Sequence, residues 1–578
     1  MKTKWYLLGC MTSIALLMLF FAISINSIMK LASKPTAVRI ENNSVLHLDL
    51  KGQIQEYTEI SDMNFSFLPD SAHDIIQKIN TAATDSRINA ILLEPQGIIA
   101  SRATVNEIMD ALNRFRDSGK RVYGYITMAT QADIWLLGAA DEVFMNPSAS
   151  AGFVMIGSGG TIGYYKDLLD KINVTMRVVK AGDYKSAGEP FERSTMSPEF
   201  RRNITALFDD IYEQFLIDLA RNFDTTVGNF RYVFESRNEY LINLEKGIEY
   251  GIVDELLHRD ALLRRLNIPE DRLVKHTRYT PDIHRPHANR IAVIYAQGNI
   301  TPATPQFGQT NINSRQFLRM LDSIEKDNSI RAVVIRIDSG GGSALESEII
   351  HNRIAKLQEI KPVVVSMGGT AASGGYFVAA NANYIFADPY TVTGSIGVIS
   401  MIPDFSDAAD NLGINTYDVG HGKFLYTQNT WRIWNRDFEN SIQIMTDGIY
   451  NEFKTRVSEG RNMSMDEVER IAQGQIWSAK AALQHNLIDE VGGLQDAISK
   501  AAEIASIDRY SMVYFPERKT LMAAMMEDSP FNFSVARMLI KKELPEFMSR
   551  PVDRGMDLLN DIMVHPVQMR NEFFIQMD

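Results

Sequence analysis

Short runs of β-branched residues alternate along this chain with segments of helical periodicity. Residues 332–337 (AVVIRI) and 362–367 (PVVVSM) are mainly apolar runs of strand length, and residues 347–357 between them follow a helical pattern. Strand-length runs separated by helices are typical of βαβ units, whose strands lie parallel in one sheet. The pattern therefore predicts an α/β fold.

The chain also matches itself. Four segments of the first half recur in the second half in the same order, at an offset that drifts only from 242 to 235 residues. Ordered matches at nearly one spacing indicate a tandem duplication. We predict a first copy at residues 41–277, a polar linker at 278–290 and a second copy at 291–510. The matched segments are 89–95 with 331–337, 139–147 with 381–389, 209–215 with 447–453, and 251–256 with 486–491.

Residues 5–29 form an uncharged, mainly apolar stretch near the N-terminus. A helix needs about 20 apolar residues to cross a bilayer, so we predict a single membrane anchor at residues 1–30. A cleaved signal peptide is the alternative, and Ala22-Ile23-Ser24 is a weak version of its cleavage site. LLGC imitates a lipoprotein cleavage box, but too little apolar sequence precedes Cys10. Basic residues on both flanks leave the orientation undecided.

Composition excludes several kinds of ligand and cofactor site. The net charge of −12 argues against nucleic-acid binding. The single cysteine, Cys10, excludes a disulfide framework and a cysteine-based metal site. No His/carboxylate cluster or phosphate-binding loop is evident, so we predict no metal and no cofactor. Residues 511–578 hold ten of the 27 methionines, which favours a packing arm or a subunit contact, with a Met-rich surface for apolar peptides as the alternative.

The stretch 368–377 (GGTAASGGYF) isolates one serine, Ser373, between alanines and glycines before a helical pattern. A serine at the start of a helix has backbone N–H groups and a positive dipole end beside it, which suits the oxyanion of acyl transfer. Gly374 and either Gly341 or Gly342, at the end of a buried strand, are the predicted oxyanion donors. An α/β-hydrolase triad is disfavoured because Ala371 replaces the first glycine of its motif.

The general base for Ser373 has to come from another part of the sequence. The histidines downstream, His421, His485 and His565, have no recognisable setting. A desolvated lysine can serve instead, since burial disfavours its charged form. Lys185, in residues 180–191 (KAGDYKSAGEPF), has apolar neighbours, whereas most lysines of the chain lie in polar contexts.

Three motifs, AGDYKSAGEPF (181–191), MGGTAASGGYF (367–377) and TGSIGV (393–398), together resemble the long, duplicated form of the bacterial signal peptide peptidase (protease IV) family. The likeness spans roughly residues 1–510. It implies a ClpP/crotonase-like fold for each copy, an inner-membrane anchor with the bulk in the periplasm, and a homotetramer. It also implies a Ser/Lys dyad that cleaves leftover signal peptides, with Ser373 as nucleophile, Lys185 as general base and Ser395 orienting the lysine. One departure is Gly340, where the family usually has proline.

The duplication places the predicted nucleophile and the predicted general base in different copies. At an offset of 242 the counterpart of Ser373 is Gln131, so the first copy has no nucleophile, while Lys185 lies in that first copy. A dyad can then form only where two copies meet. Lys423 stands opposite Lys185 at an offset of 238 and is the alternative base, although a solvated loop residue is the simpler interpretation. A crotonase-like acyl-CoA enzyme and a non-catalytic membrane scaffold remain the alternative functions.

Overall fold

A computed structural model describes residues 40–59, 70–279, 287–303, 310–429, 431 and 434–519. Within these ranges no helix combines the length and the apolar character needed to span a bilayer. The predicted anchor at residues 1–30 lies outside the described residues, as does most of the Met-rich tail.

The strands of the first half are β1 Ser44–Gln55, β2 Asp70–Ser71, β3 Ile88–Ile99, β4 Arg121–Ile126, β5 Met128–Ala129, β6 Glu142–Met145, β7 Gly152–Val154, β8 Thr175–Ala181, β9 Leu241–Ile242, β10 Glu255–Leu256 and β11 Leu273–Lys275. Those of the second half are β12 Arg290–Gln297, β13 Asn299–Thr301, β14 Asn311–Asn313, β15 Ile330–Ser339, β16 Val363–Ala372, β17 Tyr384–Ala387, β18 Val392–Gly394, β19 Val398–Asp404, β20 Ile476–Ser478, β21 Glu490–Val491 and β22 Ser511–Phe515.

The helices of the first half are α1 Ala72–Thr84, α2 Arg102–Asp117, α3 Gln131–Leu137, α4 Lys166–Lys171, α5 Glu189–Glu192, α6 Pro198–Asn222, α7 Val227–Glu235, α8 Leu244–Glu249 and α9 Arg259–Arg265. Those of the second half are α10 Ser314–Lys326, α11 Ala344–Gln358, α12 Gly374–Ala379, α13 Ser406–Leu412, α14 Arg436–Arg461, α15 Met465–Ile471, α16 Ala479–Gln484 and α17 Leu494–Ile504. Short 3₁₀ turns lie at Glu270–Arg272, His276–Arg278 and Leu425–Gln428.

Each half forms its own sheet. In the described residues the first sheet runs β10-β6-β4-β3-β1-β11 and the second runs β20-β18-β16-β15-β12-β22. The central pairs β1 with β3 and β12 with β15 are both parallel. Parallel strands are commonly covered on both faces, which explains the mainly apolar sequences of β12 and β15, whereas β1 alternates apolar and polar residues. The predicted α/β class and the two related halves are confirmed.

The two copies pack against each other through buried polar groups. Arg336 of β15 is fully buried and bonds Glu56 and Glu107 of the first copy, with nitrogen-to-oxygen distances of 3.0 to 3.2 Å. Strand β22 adds to the second sheet beyond residue 510, and Arg518 then forms an ion pair with Asp74 at 2.6 Å. The copies therefore share one interior.

A two-stranded ribbon also connects them. Strand β8 of the first copy pairs antiparallel with β19 of the second, from Ala181 beside Val398 to Thr175 beside Asp404. In the chain, β19 follows β18 of the second sheet, and the segment that follows β8 carries Lys185. It is this pairing that brings a lysine of one copy to the other.

Candidate active site

Ser373 lies where strand β16 ends and helix α12 begins. Its backbone has φ 53° and ψ −120°, a sparsely populated conformation that costs a residue with a side chain about 1–3 kcal/mol. The Ser373 N–H donates to Gly394 O at 2.9 Å and ties the turn to β18. A Cβ on Gly375 would lie 2.5 Å from Ser339 O, so only glycine lets the start of the helix approach β15 this closely.

Backbone contacts fix Lys185 against the second copy. The Tyr184 N–H donates to Gln473 O at 2.8 Å. The next residue, Gly474, packs so tightly that a Cβ there would lie 2.5 Å from Lys185 N and 2.7 Å from Lys185 Cβ. Gly474 also donates to Ile396 O at 2.7 Å. The segment 473–475 therefore holds the lysine backbone and the Ser395 loop at the same time.

The Lys185 ammonium head is buried among three oxygens. Nζ lies 3.0 Å from Ser373 Oγ and 2.9 Å from both Ser395 O and Ser395 Oγ. No carboxylate of the described residues forms an ion pair with it. Burial alone lowers the pKa of Lys185 to about 7. The structure thus brings together Ser373, Lys185 and Ser395, which lie far apart in the sequence.

These contacts orient the lone pair of a neutral lysine. A neutral amine has two N–H donors and one lone pair. The two donors are satisfied by Ser395 O and Ser395 Oγ, which leaves the lone pair directed at the Ser373 hydroxyl. Ser395 has a left-handed φ of 52°, and its N–H donates to Gln475 O at 2.6 Å, so its position is set by the same 473–475 segment.

The glycine loop after β15 supplies backbone donors beside Ser373. The Gly341 N–H donates to Ser339 Oγ at 3.1 Å and is therefore occupied. Gly342 N lies 3.3 Å from the place where a Cβ of Gly374 would stand. In the described part of the chain neither Gly342 N nor Gly374 N has a protein acceptor. Of the predicted oxyanion donors, this geometry favours Gly374 with Gly342 over Gly341.

Both halves of the chain match one known protein family. The model of peptidase family S49 matches residues 114–271 and again residues 355–508. The chain belongs to peptidase family S49. The S49 domain is thus present twice, and the prediction of a serine protease is confirmed.

Two relatives of this S49 peptidase are similar over most of its length, and a third is similar over one third of it. Protease 4 of Haemophilus influenzae is 28% identical over 535 residues, 86% of this chain and 85% of the relative. The chloroplastic serine protease SPPA of Arabidopsis thaliana is 29% identical over 489 residues, 81% of this chain and 70% of the relative. A putative signal peptide peptidase SppA of Enterococcus faecium is 31% identical over 193 residues, 33% of this chain and 56% of the relative. The family assignment rests on both S49 domains, whereas the ClpP/crotonase-like architecture stays a prediction.

In the first S49 copy, side chains bond the backbone around the turn that corresponds to the Ser373 turn. Helix α3 begins there with Gln131, whose side chain bonds the backbone of Ile156 and Gly157 at 2.9 Å. The fully buried Asp133 carboxylate accepts from Gly97 N at 2.7 Å and Ile98 N at 3.0 Å. The strand-end N–H groups of this copy are satisfied by its own side chain and are not left for a substrate.

Lys423, the alternative base, lies outside the site. Its side chain is 67% exposed and pairs with Asp437 at 3.0 Å.

The sequence analysis did not find two features of the structure, the 473–475 segment beside Lys185 and the Asp133 carboxylate that caps the first copy's turn. Gly474 sits in an ordinary Gly-Gln dipeptide, and only its contact with Lys185 reveals its role. Asp133 could have been noticed, because it follows the N-cap Thr130 by three residues in a capping box.

Proposed function

We propose that this S49 serine protease is a membrane-anchored endopeptidase that uses a Ser373/Lys185 dyad to hydrolyse cleaved signal peptides and other apolar peptides. The observation that carries the proposal is the 3.0 Å contact between Lys185 Nζ and Ser373 Oγ, with the lysine buried and its pKa lowered to about 7. A lysine with an ordinary pKa is neutral in about one molecule in a thousand near pH 7.5. A buried one is available as a base.

The proposed reaction has two halves. Neutral Lys185 takes the proton of Ser373 Oγ as that oxygen attacks the peptide carbonyl carbon. The N–H groups of Gly374 and Gly342 hold the oxyanion, and its collapse breaks the C–N bond. The amine leaves with the proton from Lys185. Water then repeats the cycle on the acyl-enzyme: Lys185 takes a water proton, hydroxide adds to the ester, and Ser373 leaves with the proton restored.

Location and assembly complete the proposal. The uncharged stretch at residues 5–29 supports a single-pass anchor, and the motif resemblance supports the periplasmic face of the bacterial inner membrane and a homotetramer. Apolar peptides released in the bilayer are the substrates that an anchored protease meets first. The name of the Enterococcus faecium relative is in keeping with this substrate class.

The test uses the full chain in detergent. The parent is expected to react with a serine-directed phosphonate and to cleave a synthetic signal peptide, while Ser373→Ala and Lys185→Ala lose both activities by about 10⁴-fold or more. Lys423→Ala is the matched control and should retain both. Labelling of Lys185→Ala at the parent's rate would refute the dyad. Cleavage of a soluble polar peptide in preference to the signal peptide would refute the substrate class.

A further inference from the structure

The 473–475 segment, which holds the Lys185 backbone, follows helix α15 in a conformation that its own sequence does not favour. Gln473 has a left-handed φ of 57°, and Gly474 has one of 84°. A left-handed φ is sparsely populated for a residue with a side chain, so it persists only where the surroundings fix it. The contacts that fix Gln473 therefore bear on the position of the lysine.

The first copy packs on this segment with backbone directly against backbone. A Cβ on Gly182 would lie 2.4 Å from Gln473 C and 2.7 Å from Gln473 Cα. Three residues further along the first copy, Lys185 meets Gly474 in the same way. Close-packed interiors transmit strain, so a displacement of Gln473 would be passed on to Gly182 and Lys185.

A buried tyrosine of helix α14 holds the start of the segment. The Gln473 N–H donates to Tyr450 Oη at 3.1 Å, and the Tyr450 hydroxyl donates to Glu469 Oε1 at 3.2 Å. The Gln473 side chain donates to the same Oε1 at 3.2 Å, and Lys454 pairs with the other carboxylate oxygen at 2.7 Å. Burial raises the pKa of Tyr450 to about 12. Its hydroxyl therefore keeps its proton and serves as acceptor and donor at once.

An asparagine of helix α6 holds the residue that follows the segment. Asn203 Oδ1 accepts from the Ile476 N–H at 2.9 Å, and Asn203 Nδ2 donates to Ile476 O at 2.9 Å. One side chain thus bonds both backbone groups of Ile476. Asn203 belongs to the first copy and Ile476 to the second, so these two bonds cross the same boundary as Lys185.

We propose that Tyr450 and Asn203 are positioning residues for the Ser373/Lys185 dyad. They fix the two ends of the 473–475 segment and, through it, the lysine backbone. Among the described residues neither side chain forms a hydrogen bond with a member of the dyad, so both act through the segment. The inference rests on the proposed function and deepens it.

Tyr450→Phe tests the first anchor, because it removes the hydroxyl and keeps the ring. The Gln473 N–H then loses its acceptor, and the segment no longer holds the lysine at its place. We expect kcat for the synthetic signal peptide to fall about tenfold, with KM unchanged within about twofold. The midpoint of the pH profile should rise, since the burial that lowers the pKa of Lys185 becomes less complete. A purely structural role would move neither quantity in the folded fraction, which the final extent of phosphonate labelling counts.

Tyr125→Phe is the matched control for this anchor. Its hydroxyl is also buried and donates to Leu257 O at 3.2 Å in the first copy. The control should keep the kcat and the midpoint of the parent. Equal losses of kcat in the two variants, or a kcat and a midpoint like those of the parent in Tyr450→Phe, would overturn the proposal for Tyr450.

Asn203→Ala tests the second anchor with the same two readouts and the same expected changes. Asp210→Asn is its control, because Asp210 lies on the same helix but bonds Ser478 and Lys480, beyond the segment. Equal losses in this pair, or none in Asn203→Ala, would overturn the role of Asn203.

The dyad and its anchors can fail separately. If Lys185→Ala labels at the parent's rate, the dyad is refuted and the anchors lose their purpose. If Lys185→Ala is inactive while Tyr450→Phe and Asn203→Ala match the parent, the dyad stands and only the positioning role is refuted.

Discussion

The two S49 copies place a strand-to-helix turn at equivalent points of the chain and build it with different backbones and different side chains. In the second copy, Ser373 is followed by two glycines, and the nearby N–H groups of Gly342 and Gly374 have no acceptor among the described residues. In the first copy, Asp133 occupies the strand-end N–H groups with its own carboxylate. The difference teaches that the fold alone does not make a protease. The second copy has a serine with two N–H groups beside it that lack a protein acceptor, whereas the first copy has Gln131 in place of the serine.

The comparison also shows that the first copy is more than a remnant. It contributes Lys185, whose head group reaches Ser373 across the boundary between the copies. In the proposed dyad, the contacts between the two copies that hold Lys185 in place are therefore parts of the catalytic arrangement. Residues there should behave in kinetic experiments like active-site residues, even when they never touch a substrate.

Gly474→Ala should have the largest effect among changes that leave the dyad itself intact. Its φ of +84° strains any side chain, and a Cβ would lie 2.5 to 2.7 Å from Lys185 backbone and side-chain atoms. Lys185 must then move, and a misplacement of about 1 Å can cost about 10²-fold in rate. We expect kcat to fall by about 10²-fold with KM nearly unchanged, measured with the synthetic signal peptide.

A matched control separates strain from contact in this experiment. Gly251 has a similar φ of +71°, but a Cβ there would meet nothing within 4 Å. Gly251→Ala should lose some stability through strain and keep the parent's kcat. A parent-like kcat for Gly474→Ala, or an equal loss for Gly251→Ala, would show that the 473–475 segment does not position the lysine.

The sequence pointed to the side chains that the structure brings together, but not to the backbone contacts that hold them there. Ser373 and Lys185 were accessible because each combines an unusual residue type with an unusual setting, and the repeat showed that they lie in different copies. Gly474 was not accessible, since a single glycine in a polar stretch is usually a simple turn. Its role depends on the crossing of two segments almost 290 residues apart in the chain. The choice between Gly341 and Gly342 likewise depended on a side-chain bond, Ser339 to Gly341, that no motif specifies.

The pH profile of kcat/KM should follow the titration of Lys185. Its expected effect is smaller than that of Gly474→Ala. In the proposed dyad only neutral Lys185 can accept the Ser373 proton, so activity should be lost as the pH falls through the pKa of Lys185, which burial lowers to about 7. We expect kcat/KM to drop about tenfold for each pH unit below this value and to level off above it. The measurement is the rate of phosphonate labelling together with peptide cleavage between pH 5 and 9.

Lys423→Ala serves as the control for this profile. Its side chain is solvated and paired with Asp437, so its removal should leave the midpoint where it is in the parent. A midpoint near 10, the ordinary range for lysine, would mean that Lys185 is not desolvated in the working enzyme. If the midpoint moves in Lys423→Ala, the general base lies in the second copy. Base and nucleophile would then come from the same copy, against the proposal.

The smallest effect should come from the closed turn of the first copy. Asp133 accepts from three backbone N–H groups, those of Gly97, Ile98 and Thr130, at 2.7 to 3.0 Å. In Asp133→Asn the amide N–H₂ must face one of these donors, and an unsatisfied buried donor costs about 1–3 kcal/mol. We expect faster hydrogen exchange across residues 88–101 and a lower melting temperature, with kcat unchanged. The exposed Asp407→Asn should change neither. A loss of kcat in Asp133→Asn without a loss of stability would show that the first copy's turn takes part in the chemistry, and the contrast between an open and a closed copy would then fail.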